Sequence, residues 1–105
     1  MRKSDIGTLY PSNLTKFKNI RSKNMLTPVL KLLYNNNFSI NNIDINLICE
    51  NPKVSKIRNR IIKSLSELLS INRNLINLKG KTVEKLGIIG KEQAIACEVI
   101  CSLSK

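Results

Sequence analysis

The 105-residue sequence predicts an α+β protein with a two-layer, helix-on-sheet arrangement and a single domain over residues 1–105. Two segments carry apolar residues at intervals of three and four, as amphipathic helices do. Three other segments carry short apolar runs bounded by turn residues, as strands do. The length suits one domain with a modest core. Strands are expected at about 40–50, 75–79 and 94–103, and helices at about 25–34 and 54–69.

The predicted helices are bounded by recognisable residues. Residues 1–24 are polar and interrupted by glycine and proline, which favours a loop. Thr27 and Pro28 suit an N-cap followed by proline in the first turn, and the three asparagines at 35–37 favour a turn that ends the helix. In the second helix, five apolar positions at helical spacing are predicted to face the core: Ile57, Ile61, Leu65, Leu68 and Leu69.

The predicted strands rest on alternation of apolar and polar residues. In the first strand, Ile43, Ile45, Leu47 and Cys49 fall on one face, which is predicted to be buried. The second strand is short, and Gly80 is predicted to end it. The alanines of the last segment would also suit a helix, but its apolar residues alternate on one side: Ile95, Cys97, Val99, Cys101 and Leu103.

The net charge is +11, from 18 Lys and Arg against 7 Asp and Glu, and such a charge is typical of proteins that bind nucleic acid. The basic residues are dispersed, however, and Asn, Ile and Lys together supply 42 of the 105 residues. These three residues share A- and T-rich codons, so nucleotide composition explains the charge better than a nucleic-acid site does. No apolar run is long enough to cross a membrane and no signal core follows Met1, so no membrane partner and a cytoplasmic location are expected.

The chain contains no His and three Cys. The lack of His excludes imidazole-based acid–base catalysis and imidazole metal ligands within this polypeptide. The odd number of cysteines favours a reduced setting. Cys97 and Cys101 have no second close pair to complete a zinc site, and we predict that they are small apolar core residues.

The turn after the second strand is the strongest local candidate for a site. Lys81, Thr82, Val83 and Glu84 place a hydroxyl, backbone amides and a carboxylate together, which could hold a phosphate and a divalent ion. An ordinary Ser/Thr turn with a solvated glutamate explains the same residues. The nearby segment 87–91 contains two glycines and a lysine, but it lacks the glycine spacing and the Ser or Thr of a phosphate-binding loop.

Several short motifs, each weak by itself, become informative when their order and spacing are considered together. Residues 77–91 read N-L-K-G-K-T-V-E-K-L-G-I-I-G-K, which is similar to the family signature N-V-K-x-T-T-T-E-x-L-G-F-x-G-R. With the other matching positions, the sequence resembles the 2-C-methyl-D-erythritol 2,4-cyclodiphosphate synthases from Asp5 to near its C terminus. Those other positions are Asp5, Ile6, Gly7, Tyr10, Pro11, Ser22, Asp44, Pro52, Lys53, Ile95, Ala96, Cys97 and Glu98.

The resemblance implies a homotrimeric phosphorus–oxygen lyase of the non-mevalonate isoprenoid pathway. It would convert 4-diphosphocytidyl-methylerythritol 2-phosphate to the cyclic diphosphate and release CMP, in active sites between subunits. The implied cofactors are two divalent metals, usually zinc at one site and magnesium or manganese at the second.

The resemblance also assigns site residues. Thr82 would be the catalytic residue that stabilises the transferring phosphate, and Glu84 would bind the second divalent ion. The methylerythritol hydroxyls would be held by Asp5, Ile6 and Gly7, beneath a loop of Tyr10, Pro11, Ser12, Asn13 and Leu14. The cytidine would be held by Cys49, Glu50, Asn51, Pro52, Lys53, Val54 and Ser55, with Lys53 near its phosphates. The remaining implied substrate contacts are Lys81, Val83, Ile88 and Lys91.

The sequence also departs from the family. The zinc ligands of the family, an Asp-x-His and a second His, lie upstream of its D-I-G motif, whereas here only four residues precede Asp5. The family loop F-P-D-T-D reads Y-P-S-N-L, and the T-T-T before the glutamate reads K-T-V. We therefore expect a chain that corresponds to the C-terminal two-thirds of the domain, lacks the zinc ligands, and is inactive without a missing N-terminal segment as partner.

Three interpretations remain open at this point. The chain is part of a cyclodiphosphate synthase, or a catalytically dead remnant that only oligomerises, or a small basic nucleic-acid-binding protein. Zinc ligands encoded upstream would favour the first, folding without substrate binding the second, and salt-sensitive RNA binding the third. In a eukaryote, the first would also allow a plastid-type organelle matrix as its location.

Overall fold

The computed structural model describes residues 5–11, 13–14 and 21–105. The chain divides into two compact units, residues 1–39 with Lys105 and residues 40–104. No helix in these described ranges is long and apolar enough to cross a membrane. The elements, in chain order, are α1 (Ile6–Leu9), α2 (Ser22–Asn35), β1 (Ser39–Ile48), α3 (Val54–Leu69), a 3-10 turn (Arg73–Leu75), β2 (Ile76–Lys81), α4 (Gly87–Gly90) and β3 (Ala96–Ser104).

The first unit contains the helices α1 and α2. Asp5 caps α1, because its carboxylate accepts hydrogen bonds from the Thr8 backbone amide at 3.0 Å and the Thr8 hydroxyl at 3.1 Å. Helix α2 begins at Ser22, and the Met25 amide donates to the Arg21 carbonyl at 3.2 Å to close its first turn. The prediction of a continuous N-terminal loop over residues 1–24 is therefore wrong.

Helix α2 also differs from the prediction in the place of its proline. Pro28 lies inside the helix, so the start predicted from the Thr-Pro pair is wrong. Proline in a helix interior removes one backbone hydrogen bond, and here the helix nevertheless continues to Asn35. The predicted end is confirmed, since the Asn36 side-chain amide donates to the Leu32 carbonyl at 2.7 Å and Asn37 adopts a positive φ of 63°.

The second unit contains a three-stranded mixed sheet with strand order β2-β1-β3. Strands β1 and β2 are parallel, paired from Ile43 opposite Ile76 to Ile48 opposite Lys81. Helix α3 connects them and packs against β2, as the crossover between two parallel strands requires. The predicted α+β class with a helix on the sheet is confirmed, and the predicted bounds of α3 are those observed.

The glycine near the end of β2 does not end the strand, contrary to the prediction. Strand β2 continues through Gly80 to Lys81, whose carbonyl accepts a hydrogen bond from the Cys49 amide at 3.0 Å. A Cβ atom at position 80 would lie only 2.5 Å from the Cβ of Val54. Glycine is therefore required here because β2 and the first turn of α3 approach each other closely.

The core of the second unit is formed by β1, β2 and the two ends of α3. Only part of the predicted apolar face of α3 is buried: Leu69 is 6% exposed, whereas Leu68 is 40% exposed, so its assignment to the core is wrong. Neighbouring residues on a helix point about 100° apart, and the last turn of α3 directs Leu69 inward. The buried residues of this core are Ile43, Ile45, Cys49, Val54, Leu69, Ile76 and Leu78.

Strand β3 is much more exposed than the sequence predicts. Cys97 and Cys101 are exposed, so their assignment as core residues is wrong, whereas the buried position of Cys49 is confirmed. Ile100 is 74% exposed and Val99 is 56% exposed. The reason is position: β3 is the edge strand on the side of the sheet opposite β2, the strand against which α3 packs.

Candidate functional site

A cavity of about 320 Å³ lies where the parallel strands β1 and β2 end. Ligands often bind at the carboxyl ends of parallel strands, because the connecting loops diverge there. In this protein the chain leaves β1, turns, and enters α3 beside the end of β2. The cavity is lined by Cys49, Glu50, Lys53, Val54, Arg58, Gly80, Lys81 and Thr82.

Two segments that sequence analysis assigned to the site meet at this cavity, although about 30 residues separate them in the chain. The parallel pairing of β1 and β2 brings them together. Their other predicted members, Asn51, Pro52, Ser55, Val83 and Glu84, lie beside the cavity-lining residues in the chain but do not line it themselves. The predicted residues that line it are Cys49, Glu50, Lys53, Val54, Lys81 and Thr82.

A cluster of hydrogen bonds joins the two segments at Glu50. One carboxylate oxygen, Oε1, accepts from the Thr82 hydroxyl, from the Val83 amide at 2.9 Å and from the Lys85 amide at 3.1 Å. The Thr82 hydroxyl oxygen in turn accepts from the Glu84 amide at 3.1 Å. We name residues 82–85 the 82–85 turn; its conformation includes positive φ angles at Glu84 and Lys85.

The same contacts set the protonation of Glu50. The hydrogen bond from Thr82 holds the pKa of this carboxyl below its ordinary value, and the amides of Lys85 and Val83 act in the same direction. The positive charge of Lys85 adds a smaller contribution of the same sign. Glu50 is therefore ionised at neutral pH and bound to the 82–85 turn.

The cavity is electropositive. Three cationic side chains line it, those of Lys53, Arg58 and Lys81, and among the described lining residues Glu50 is the one that is acidic. A concave site with excess cationic side chains suits phosphate groups, which ammonium and guanidinium donors bind through charge-assisted hydrogen bonds. Arg58 was not among the predicted site residues. It lies four residues after Val54, which puts both on one face of α3, and this spacing could have indicated that it shares the site of Val54.

The segment that leads from β1 into α3 begins with Cys49. Its thiol donates to the Pro52 carbonyl at 3.3 Å, and the peptide bond between Asn51 and Pro52 is cis. Sequence analysis also missed Gly80, which lines the cavity because it lies against Val54. The sequence shows a glycine next to a predicted strand end. It does not show which other element lies against that glycine, so the contact with Val54 could not be predicted.

Glu84 is the predicted metal ligand, and it lies in the 82–85 turn. In the described ranges no three His, Cys, Asp or Glu side chains come together as they would around a fully protein-bound metal ion. A single carboxylate nevertheless fits Mg²⁺, which commonly keeps several waters and uses one or two carboxylates together with substrate phosphates. The described residues thus offer Glu84 as a possible ligand and no enclosed metal site.

Two of the other predicted site residues belong to the second unit, and the rest that the structure describes belong to the first. Ile88 is 64% exposed in α4, and Lys91 is the C-cap of that helix; neither lines the cavity. In the first unit, Asp5 caps α1, with Ile6 and Gly7 inside that helix. Among the loop residues, Tyr10 donates to the Met25 carbonyl at 2.5 Å, Pro11, Asn13 and Leu14 follow it, and Ser12 lies outside the described residues.

A second, smaller cavity of about 240 Å³ lies in the first unit. Its lining is almost entirely apolar, and among the described residues it includes one predicted substrate contact, Tyr10. The other lining residues are Leu9, Pro28, Val29 and Leu32.

Comparison with solved structures defines the class to which this fold belongs. The chain superposes on the structure described as "IspF (Plasmodium falciparum) CDP complex" with a TM-score of 0.79 and 44% sequence identity, over 95% of this chain and 58% of the other. A structure of 2C-methyl-D-erythritol-2,4-cyclodiphosphate synthase gives a TM-score of 0.84 at 26% identity, over 96% of this chain and 65% of the other. The fold is that of the cyclodiphosphate synthases.

Sequence comparison then identifies the family. A profile of the YgbB family matches residues 1–104, and the chain belongs to that family. A bifunctional enzyme IspD/IspF of Pelagibacter ubique is 46% identical over 96% of this chain and 27% of its own length. The apicoplast 2-C-methyl-D-erythritol 2,4-cyclodiphosphate synthase of Plasmodium falciparum is 48% identical over 89% of this chain and 39% of its own length. The chain thus spans well under half the length of these two relatives.

Proposed function

We propose that this chain acts as part of a 2-C-methyl-D-erythritol 2,4-cyclodiphosphate synthase. The reaction would convert 4-diphosphocytidyl-methylerythritol 2-phosphate to the cyclic diphosphate with release of CMP. The Plasmodium falciparum relative and one of the solved structures carry this enzyme's name, and another solved relative is described as a CDP complex. The 105 residues would form one incomplete domain of that enzyme.

One observation carries the proposal. The electropositive cavity at the ends of β1 and β2 joins the segment assigned to cytidine and the turn assigned to phosphate transfer. Among the described residues that line it, Lys53, Arg58 and Lys81 provide positive charge for a diphosphate. Thr82 lines it, and its hydroxyl, which donates to Glu50 in the free chain, would turn to donate to a transferring phosphate when the substrate is bound.

A divalent ion fits this proposal through Glu84. Its carboxylate would hold a magnesium or manganese ion against the substrate phosphates, where the ion would neutralise charge that develops during transfer. Zinc, the other metal of the family, would need ligands that this sequence does not supply, since it contains no His. We therefore propose that the chain alone does not catalyse the full reaction.

The proposed partners follow from the same assignment. The site would be completed by a nucleotide-diphosphate substrate, by two further copies of the chain in a homotrimer, and by a segment that supplies the zinc ligands. The exposed apolar residues of β3 are consistent with such partners, since an exposed apolar strand is normally covered. The location would be the cytoplasm or a plastid-type organelle matrix; the Plasmodium relative is named as an apicoplast protein.

The first test measures the binding of CDP to the chain by isothermal titration calorimetry. Lys53→Ala removes a cation that lines the cavity just before α3, and Lys56→Ala removes a cation in the first turn of α3 that does not line it. We expect CDP binding by the unmodified chain, a loss of about tenfold for Lys53→Ala, and little change for Lys56→Ala. Equal effects of the two substitutions would mean that only the net charge attracts the nucleotide.

A second measurement separates the proposal from its two rivals. CMP release from the authentic substrate with a divalent metal is expected to be absent for the chain alone. Failure to bind CDP by a folded chain would favour a remnant without a working site. RNA binding that is unaffected by Lys53→Ala and weakens steeply with salt would favour the nucleic-acid interpretation.

A further inference from the structure

Glu50 has an arrangement that the proposed function does not explain. It lies directly after the buried Cys49, in the segment assigned to cytidine. Its side chain reaches from there across to the 82–85 turn. A single oxygen accepts three hydrogen bonds there, two from backbone amides and one from a hydroxyl. Because three donors share one acceptor atom, their positions relative to one another are fixed.

The 82–85 turn needs this support. Glu84 and Lys85 both have positive φ angles, of 55° and 63°, a conformation that is unfavourable for residues other than glycine. Within the turn, the Glu84 amide donates to Thr82. The contacts from Glu50 supply acceptors for two further turn amides and hold the side chain of Thr82 in one orientation.

From this geometry we infer that Glu50 is a positioning residue: it fixes the 82–85 turn, which sets the cavity wall formed by Lys81 and Thr82 and presents Glu84 to the phosphates of the ligand. This inference rests on the proposed function of the cavity. It differs from the role that the family resemblance implies for Glu50, which is contact with the cytidine. Glu50 acts through Thr82 and the turn amides, and it need not touch the ligand.

The alternative role for Glu50 has the opposite consequence. Its carboxylate occupies the same donors that a phosphate oxygen would use, so it could instead compete with the ligand. A competing carboxylate weakens anion binding, and its removal would also lower the negative charge beside Lys53 and Lys81 and so tighten CDP binding. A positioning carboxylate strengthens binding, and its removal weakens it.

The experiment compares Glu50→Ala and Glu50→Gln in the full chain, with Glu67→Ala as a matched control. Glu67 is an exposed residue of α3 that does not line the cavity, so its substitution removes the same charge elsewhere. Glutamine retains a side-chain oxygen that can accept from the same three donors. We expect CDP affinity to fall about tenfold in Glu50→Ala, to be largely restored in Glu50→Gln, and to be unchanged in Glu67→Ala.

Amide hydrogen exchange of Val83 and Lys85, followed by NMR, gives a readout that does not need nucleotide. We expect loss of protection at both amides in Glu50→Ala and retention in Glu50→Gln, while Leu78 in β2 stays protected and reports that the fold is intact. Unchanged protection of Val83 and Lys85 in Glu50→Ala would overturn the inference, and so would tighter CDP binding by that variant.

The two readouts also separate this inference from the proposed function. If the unmodified chain binds no CDP but Glu50→Ala releases the two turn amides, the proposed nucleotide function fails and the positioning of the turn by Glu50 stands. If the unmodified chain binds CDP and Glu50→Ala binds it equally well, the proposed function stands and the inference about Glu50 fails.

Discussion

The neighbouring leucines at the end of α3 allow a sharp test of the core. Leu69 is 6% exposed and Leu68 is 40% exposed, so the same substitution can be made at two adjacent positions of one helix. Helix propensity changes equally in Leu68→Ala and Leu69→Ala, so the difference between them reports burial. Truncation of leucine to alanine removes three carbons, at about 0.8 kcal/mol for each buried one.

The expected losses follow from these exposures. For Leu69→Ala the transfer term is about 2.3 kcal/mol, and a cavity left in a closed core raises the total to about 3 kcal/mol. For Leu68→Ala only about 60% of the transfer term applies and solvent fills the space, so the loss is about 1.4 kcal/mol or less.

Urea unfolding followed by circular dichroism measures both losses, with the free energy taken from linear extrapolation. The slope of that extrapolation should be the same in both variants, since neither substitution changes the surface exposed on unfolding by much. Equal losses in the two variants, or a loss below 1 kcal/mol for Leu69→Ala, would show that the end of α3 is not packed as described.

Three further outcomes are expected. Gly80→Ala should cost about 1–3 kcal/mol in urea unfolding, and adding Val54→Ala should not restore stability, because the closest contact is with a Cβ that alanine retains. Ser70→Gly should stabilise the chain by about 0.5 kcal/mol in the same assay, because Ser70 ends α3 with a φ of 54°. The pKa of the Asp44 carboxyl lies below its ordinary value, first because of the Lys79 ammonium at 3.0 Å. Stability that this pair contributes is therefore present above about pH 4 and lost as the pH falls through the lowered pKa, and Asp44→Asn should flatten the acid side of the stability profile.

Periodicity predicted the regular elements well, because it records which face of an element avoids water. The bounds of α3, the alternating burial of Ile43 and Ile45 in β1, and the asparagine turn after α2 all follow from neighbouring residues. The family resemblance rested on motif order along the chain, and the family match and the shared fold confirm it. Helix bounds, strand alternation and turns depend on interactions within a few residues, so they can be predicted from a single sequence.

Tertiary contacts decided the features that local patterns predicted wrongly. Leu68 and the β3 cysteines are apolar at suitable spacing, but whether such a side chain is buried depends on the element that packs opposite it. Gly80 is predicted to end a strand, yet its pairing with Leu47 makes it part of β2, and it lies against Val54 in the lining of the cavity.

The candidate site shows the same division. Sequence analysis named Thr82, Lys53 and Glu50 individually, but the hydrogen bonds of Glu50 to the 82–85 turn join residues 32–35 positions apart in the chain. Only the parallel register of β1 and β2 brings those positions together, and with Arg58 of α3 it forms one electropositive cavity. The kinds of groups available were set by composition, whereas their distances, and hence the chemistry they can perform together, were set by the packing of strands and helix.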